Sequence, residues 1–89
     1  MEQTKKIVYV VLAHRAGHLR KARNFRSGVM ALKFFGQQVC AAGMEAFRGT
    51  KRGRGYGLSV AIHTQDRPGV KGIRILEGLG SFKIRVPRV

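Results

Sequence analysis

The first apolar segment, Lys5 to Ala13 (KKIVYVVLA), is dense in β-branched and aromatic residues. Such side chains pack well on a pleated surface and lose rotamer freedom in a helix, so the segment predicts a strand. Apolar residues occupy both of its faces, which predicts a central strand covered on at least one side. The next stretch, His14 to Arg26, has five Lys or Arg and two His in thirteen residues, which predicts a basic loop.

Apolar residues at helical spacing follow over Gly28 to Phe47, and Ser27 before them can cap a helix N-terminus. The predicted apolar face consists of Leu32, Phe35, Val39, Cys40, Gly43 and Phe47. Cys40 is therefore expected in the core. Gly36 and Gly43 each weaken a helix by about 1 kcal/mol relative to Ala, and they are expected to permit a close approach of the helix to the sheet.

Shorter segments complete the pattern. Arg48 to Gly57 (RGTKRGRGYG) has four glycines and four basic residues, which predicts a flexible cationic loop. Leu58 to Thr64 alternates as a strand, and Asp66 to Gly69 predicts a turn. Val70 to Leu79 has apolar residues at every third position and predicts a second helix. Phe82 to Val86 (FKIRV) alternates strictly and predicts the last strand.

This order predicts an α/β fold, in which a small, three-stranded, mostly parallel sheet carries two helices (β-α-β-α-β) and the connections are basic loops. The 89 residues show no repeat and no boundary, so residues 1–89 are expected to form a single domain. The longest apolar run, Ile7 to Ala13, falls far short of the roughly 20 residues that span a bilayer. Cys40 is the only cysteine and three histidines are scattered, so neither a disulfide nor a metal site is expected.

Charge changes this picture, because 18 Lys and Arg against four acids give a net charge of +14. An excess of this size repels itself in a compact chain and indicates a polyanionic partner, RNA within a permanent particle above all. Acids are absent near the segment from Arg15 to Arg26, which favours phosphate contact there over simple solvation. The candidate RNA-binding residues are Arg15, His18, Arg20, Lys21, Arg23, Arg26, Arg48, Lys51, Arg52, Arg54, Arg67, Gly69, Lys71 and Arg74.

Two motifs leave alternatives open. The G-x-G-x-G within Arg48 to Gly57 follows a predicted helix and precedes a strand, the reverse of a dinucleotide fingerprint, so tracking of a phosphate chain is preferred. Tyr56 in this loop either stacks on a base or packs at the sheet edge. Arg67 to Gly72 is either an anion site at a helix start or an ordinary turn with an N-cap.

The inventory for catalysis is thin. Glu2, Glu45, Asp66 and Glu77 lie far apart in sequence, and no serine lies in a nucleophile motif. The histidines are expected to form hydrogen bonds with RNA or backbone rather than to bind a metal. We therefore expect no enzymatic activity, no cofactor and no small-molecule substrate.

The order of segments resembles that of the universal small-subunit ribosomal protein eleven family. The matching segments are Ala16-Gly17, the basic stretch Arg20 to Arg26, the helix from Ser27, Val60 to Ile62, the basic turn Arg67 to Arg74, Leu79-Gly80 and Phe82 to Val86. They cover roughly residues 7 to 86. Only one predicted strand precedes Ala16, where the family has a hairpin, and the sequence stops at Val89 without the family's His-Asn-Gly-Cys-Arg-Pro segment and basic tail.

The resemblance implies a structural constituent of the small-subunit platform, which binds ribosomal RNA and neighbouring ribosomal proteins. It implies RNA contact by Ala16, Gly17 and the cations of the first loop, and by Arg67, Gly69, Lys71 and Arg74 at the second helix start. The loop from Arg48 to Arg54 has no family counterpart, so its assignment depends on charge alone. The shortened chain resembles organellar versions, so a mitochondrial ribosome is expected, with the cytoplasm as the alternative.

Three other interpretations differ from this one. A freestanding RNA-binding regulator or chaperone would carry the same charge and would bind RNA reversibly. A small enzyme is a third class, although no motif favours it. The large-subunit protein eighteen family shares the alternating layout, but the Pro-Gly turn with basic residues before the predicted second helix favours protein eleven.

Overall fold

The computed structural model describes residues 7–51, 53–66 and 74–89, except for the side chains at 66 and 74–76. In chain order the elements are β1 (Ile7–Arg15), β2 (His18–Phe25), α1 (Gly28–Arg48), β3 (Tyr56–Asp66) and β4 (Arg74–Val86). The strands form one four-stranded antiparallel sheet in the order β2-β1-β3-β4, and α1 packs on one face of it. The predicted three-stranded, mostly parallel sheet with two helices is therefore wrong.

The basic segment His14 to Arg26 is not a loop, because His14 and Arg15 end β1 and His18–Phe25 form β2, its hairpin partner. Ala16 and Gly17 form the two-residue turn, with φ of 52° and 84°, and positive φ at both positions suits the twist of a hairpin. The residues of β2 are exposed except for half-buried Phe25, so the strand has no apolar alternation to reveal it. Its conformation is set by pairing with β1, and its charges protect the sheet edge from pairing with other chains.

The predicted second helix is also wrong over its described part, because β4 begins at Arg74; residues 70–73 lie outside the described ranges. Apolar residues at every third position over ten residues are too short a pattern to separate helix from strand. Gly78 and Gly80 lie within β4 opposite His63 and Ile62. The register shifts between those two β3 residues, as glycines within strands often indicate.

The helix agrees with its predicted bounds to one residue, and its N-cap is confirmed. The Ser27 side chain accepts a hydrogen bond from the Met30 backbone N–H at 3.3 Å. At the other end, Gly49 has φ of 74° and its N–H donates to the Glu45 carbonyl at 3.1 Å, which closes the last turn.

The predicted apolar face of α1 is partly wrong. The residues buried against the sheet are Ala31, Ala42 and Ala46, and partly buried phenylalanines and Val39 accompany them. Leu32, Cys40 and Phe47 are exposed instead, and open space surrounds Gly36 and Gly43, so the glycines do not mediate a close approach. Apolar residues lie on most sides of α1, so choosing the face with the largest side chains gave the wrong face. The helix contacts the sheet mainly through alanines.

The core lies between α1 and one face of the sheet. Its largest fully buried side chains are Val11, Ile62 and Val86, and each contributes about 1.5–3 kcal/mol by leaving water. The central position predicted for the first strand is confirmed, since β1 pairs with both β2 and β3. We call the side of the sheet that carries α1 the helix side and the other the open face.

Candidate nucleic-acid interface

The cations of β2 lie at the edge of the helix side. Lys21 and Arg23 pair with Ala13 and Val11, two core residues beneath α1. Directly opposed residues of an antiparallel pair share a face, so both cations extend on the helix side. Arg20, beside the register shift after Ala13, lines a cleft of about 240 Å³ together with Lys21 and α1. Edge strand and helix thus enclose a cationic cleft.

Arg23 rests on an aromatic pair. Its guanidinium carbon lies 5.1 Å from the ring centroid of Phe34 and 5.7 Å from that of Phe25. The two rings, one from β2 and one from α1, are 5.5 Å apart and tilted by 45°. This cation–π contact restrains the guanidinium while Arg23 stays exposed, so it can meet a phosphate with little loss of conformational freedom.

Arg15 is held by internal partners. Its Nη2 lies 2.9 Å from Glu45 Oε2 and donates to the Tyr56 hydroxyl at 2.9 Å, and that hydroxyl donates to Glu45. The guanidinium also lies 5.0 Å from the Tyr56 ring centroid. The hydrogen bond to Tyr56 raises the pKa of Arg15; desolvation opposes this rise, and attraction by Glu45 supports it. Arg15 therefore positions neighbouring groups, and Tyr56 packs within the sheet rather than standing free for a base.

Basic residues from β2 and from the end of α1 lie on the helix side. The cleft of Arg20 and Lys21 includes Arg15 in its lining, and a second depression joins Arg15 with Arg48 and Lys51. The cations on either side of Arg15 are distant in sequence, and the fold brings them together. We define the helix-side strip as Arg20, Lys21, Arg23, Arg48 and Lys51, all of which are exposed.

No acid among the described side chains neutralises the helix-side strip. Glu45 is committed to Arg15 and Tyr56. Glu77 lies in β4 at the opposite edge of the sheet, across from Thr64. Within the ranges that the structure describes, the only ion pair is the one between Arg15 and Glu45. Several cations without counter-charges on one surface form an electrostatic footprint for a polyanion.

The remaining predicted residues divide into three groups. His18 begins β2, and Arg26 and Arg54 are exposed in the connections on either side of α1. Arg52, Arg67, Gly69 and Lys71 lie outside the described residues. Arg74 is the first residue of β4, so the helix start to which it was assigned is wrong at this position.

Two cations that the prediction omitted lie on the open face. Lys83 and Arg85 pair with Ser59 and Gly57 of β3, whereas Phe82, Ile84 and Val86 of the same strand belong to the core side. The strict alternation of FKIRV already contained this signal, because alternate residues of a strand occupy opposite faces. His14 joins these residues around a shallow depression of about 520 Å³. We call His14, Gly57, Ser59, Lys83 and Arg85 the open-face patch.

The described part of the chain was also compared with the requirements of metal binding and of membrane insertion. There, no group of three or more His, Cys, Asp or Glu side chains could hold a metal ion. The one buried polar residue in these ranges, His63, shares a 2.8 Å hydrogen bond with Gln65. No helix of the described chain is both long and apolar enough to cross a membrane.

No protein-family model, no curated protein and no solved structure gives a significant match to this chain. The ribosomal resemblance accordingly rests on the order of sequence segments given above.

Proposed function

We propose that this chain binds RNA through the helix-side strip, as a non-catalytic structural protein of a ribonucleoprotein particle. The observation that carries the proposal is the strip itself: five exposed cations, four of which line the two depressions that Arg15 joins, with the one nearby described acid already paired. Phosphate oxygens are the natural partner of such a surface, since arginine and lysine bind them with charge-assisted hydrogen bonds.

The particle we favour is the small ribosomal subunit, in its mitochondrial form. The sequence resemblance supports this choice over Ala16 to Phe47, where the basic segment leads into a long helix, although the second helix of that resemblance is lost in its described part. Ribosomal RNA and neighbouring ribosomal proteins are the proposed partners.

The outer surface of α1 supports a particle over a freely diffusing protein. Val29, Leu32, Met44 and Phe47 are exposed there, and Phe47 keeps 88% of its accessible surface. Large exposed apolar residues along one helix are typical of surfaces that another molecule covers. A neighbouring protein in the particle would provide that cover, which a freestanding regulator would lack.

Binding to a structured RNA measured across a salt series tests the RNA assignment. If all five strip cations contact phosphates, log K should fall with log salt at a slope of about −4. Joint replacement of Arg20, Lys21 and Arg23 by Ala should weaken binding about a hundredfold and reduce the slope by about 2 to 3, while Lys33→Ala, on the exposed outer part of α1, should change neither. A slope near zero, or equal losses for Lys33→Ala, would refute RNA binding by the strip.

Sedimentation separates the particle from the alternatives. A tagged copy expressed in its own cells should cosediment with small ribosomal subunits from mitochondria at low magnesium. Recovery in cytoplasmic small subunits would move the assignment to that compartment. Recovery only in free fractions, with steep salt dependence retained, would replace the ribosomal assignment by a freestanding RNA-binding regulator or chaperone.

A further inference from the structure

The open-face patch carries cations that do not belong to the helix-side strip, the proposed RNA-binding surface. Lys83 and Arg85 are exposed, adjacent on one face of β4, and have no acid partner among the described residues. Their β3 partners, Ser59 and Gly57, are small, so the surface beside them is shallow and accessible. The patch is thus a second positive surface.

Lys83 and Arg85 of the patch lie apart from Lys21 and Arg23 of the helix-side strip. Their strands, β4 and β2, are opposite edges of the sheet, three strand spacings or about 14 Å apart. They also lie on opposite faces, because Lys21 and Arg23 pair with core residues, whereas Lys83 and Arg85 alternate with them. An RNA segment lying against Lys21 and Arg23 therefore leaves Lys83 and Arg85 free.

The chemistry of the patch fits the backbone of double-stranded RNA. Lys83 and Arg85 supply charge, and Ser59 and His14 supply hydrogen-bonding groups for phosphate oxygens or 2′-hydroxyls. Over the described ranges, no Phe or Tyr belongs to this face, so the stacking platform that single-stranded bases require is missing there. Recognition by shape and backbone is what a duplex offers.

The geometry points to a second RNA site at the open-face patch, so that one chain holds two RNA duplexes together. This inference rests on the proposed function, because the helix-side strip supplies the first site. The patch has two Lys or Arg side chains and the strip has five, so the second duplex binds more weakly and with a shallower salt dependence.

Two RNA duplexes of about 16 base pairs, one with a donor and one with an acceptor fluorophore, test the bridge with the full chain. Energy transfer should rise as protein is added and fall again at excess, when each chain takes one duplex. Sedimentation should detect two duplexes on one monomer. In the Lys83→Ala and Arg85→Ala double variant, energy transfer should fall at least fivefold, while affinity for the first duplex changes less than threefold.

Two further variants make the outcome decisive. Lys33→Ala removes an exposed cation outside both surfaces and should keep full energy transfer. The Arg20, Lys21 and Arg23 triple alanine variant should lose high-affinity binding and keep only weak binding by the patch. One duplex per chain with no energy transfer in the wild type, or unchanged transfer in the patch variant, overturns the second site and leaves the proposed function standing. Failure of the wild-type chain to bind any duplex overturns both.

Discussion

The two edges of the sheet both carry cations, but they support them differently. On the β2 edge, Arg23 lies over the rings of Phe25 and Phe34, and Lys21 borders a cleft against α1. On the β4 edge, Lys83 and Arg85 lie beside small residues of β3 on a face that α1 does not cover. The two cations compared at the β2 edge therefore lie against packed side chains, whereas the two at the β4 edge lie on an open surface.

This difference follows from the position of one helix. Because α1 packs on a single face, its aromatic side chains can restrain only the cations of that face. A cation restrained before binding loses less conformational freedom when it meets a phosphate. The β2 edge should therefore bind RNA first and hold it longer, and the β4 edge should bind second.

The largest expected effect concerns the hairpin that creates the β2 edge. Gly17→Ala places a side chain at φ of 84°, which should lower the free energy of unfolding by about 1–2 kcal/mol and loosen β2 first. Gly57→Ala is the matched control, because open space surrounds Gly57 and its φ lies outside the left-handed range. That substitution should be neutral or should stabilise β3 by up to about 1 kcal/mol.

Thermal unfolding and amide hydrogen exchange measure both glycine variants. Faster exchange should appear in β2 for Gly17→Ala and not for Gly57→Ala. Equal destabilisation by the two substitutions would contradict the hairpin turn at Ala16 and Gly17.

The Arg15 pair gives an effect of opposite sign on stability and on binding. Glu45→Gln removes the charge that pairs Arg15, and since these side chains are 41% and 32% exposed, the loss of stability should be about 1 kcal/mol or less. RNA affinity should rise about twofold to threefold, because Arg15 then adds its charge to the helix-side strip.

The matched control for this substitution is Glu77→Gln, which makes the same change in net charge at the opposite edge of the sheet. Unfolding and RNA titration of both variants decide the point. A rise in affinity of the same size for Glu77→Gln would assign the effect to net charge and would exclude a local role for Glu45.

The smallest expected effect tests the aromatic support of the β2 edge. Phe34→Leu keeps an apolar side chain but removes one of the two rings near the Arg23 guanidinium, so RNA affinity should fall by about twofold or less with the salt slope unchanged. Phe82→Leu, in the part of the core that β4 contributes, should leave affinity unchanged. A steeper loss for Phe82→Leu would place the important aromatic contact elsewhere.

Elements with a clear apolar periodicity could be predicted from the sequence. Elements whose conformation depends on pairing with a neighbouring strand could not. β1, α1 and β3 have dense or regularly spaced apolar residues, and their bounds agree with the structure to within two residues at each described end. β2 has none, since an exposed edge strand buries almost nothing and owes its state to β1. The helical spacing assigned to Val70 to Leu79 was too short to distinguish a helix from a strand, and pairing with β3 decided the described part of it.

The candidate site divides in the same way. Exposure of Arg20, Lys21 and Arg23 follows from composition, so these residues were found from sequence. The ion pair between Arg15 and Glu45 could not be predicted, because the two residues are 30 positions apart in the chain and tertiary packing brings them together. Lys83 and Arg85 could have been found, since the alternation of the last strand places both on the face opposite its apolar residues.

Lysine acetylation during titration with duplex RNA, followed by mass spectrometry, tests the account most directly. Lys21 and Lys51 report on the helix-side strip, Lys83 reports on the open-face patch, and Lys33 on α1 serves as the internal reference. Lys21 and Lys51 should lose reactivity together at low duplex concentration, Lys83 at higher concentration, and Lys33 not at all. Full reactivity of Lys21 and Lys51 at saturating duplex, or protection of Lys33 equal to theirs, would contradict RNA binding by the strip.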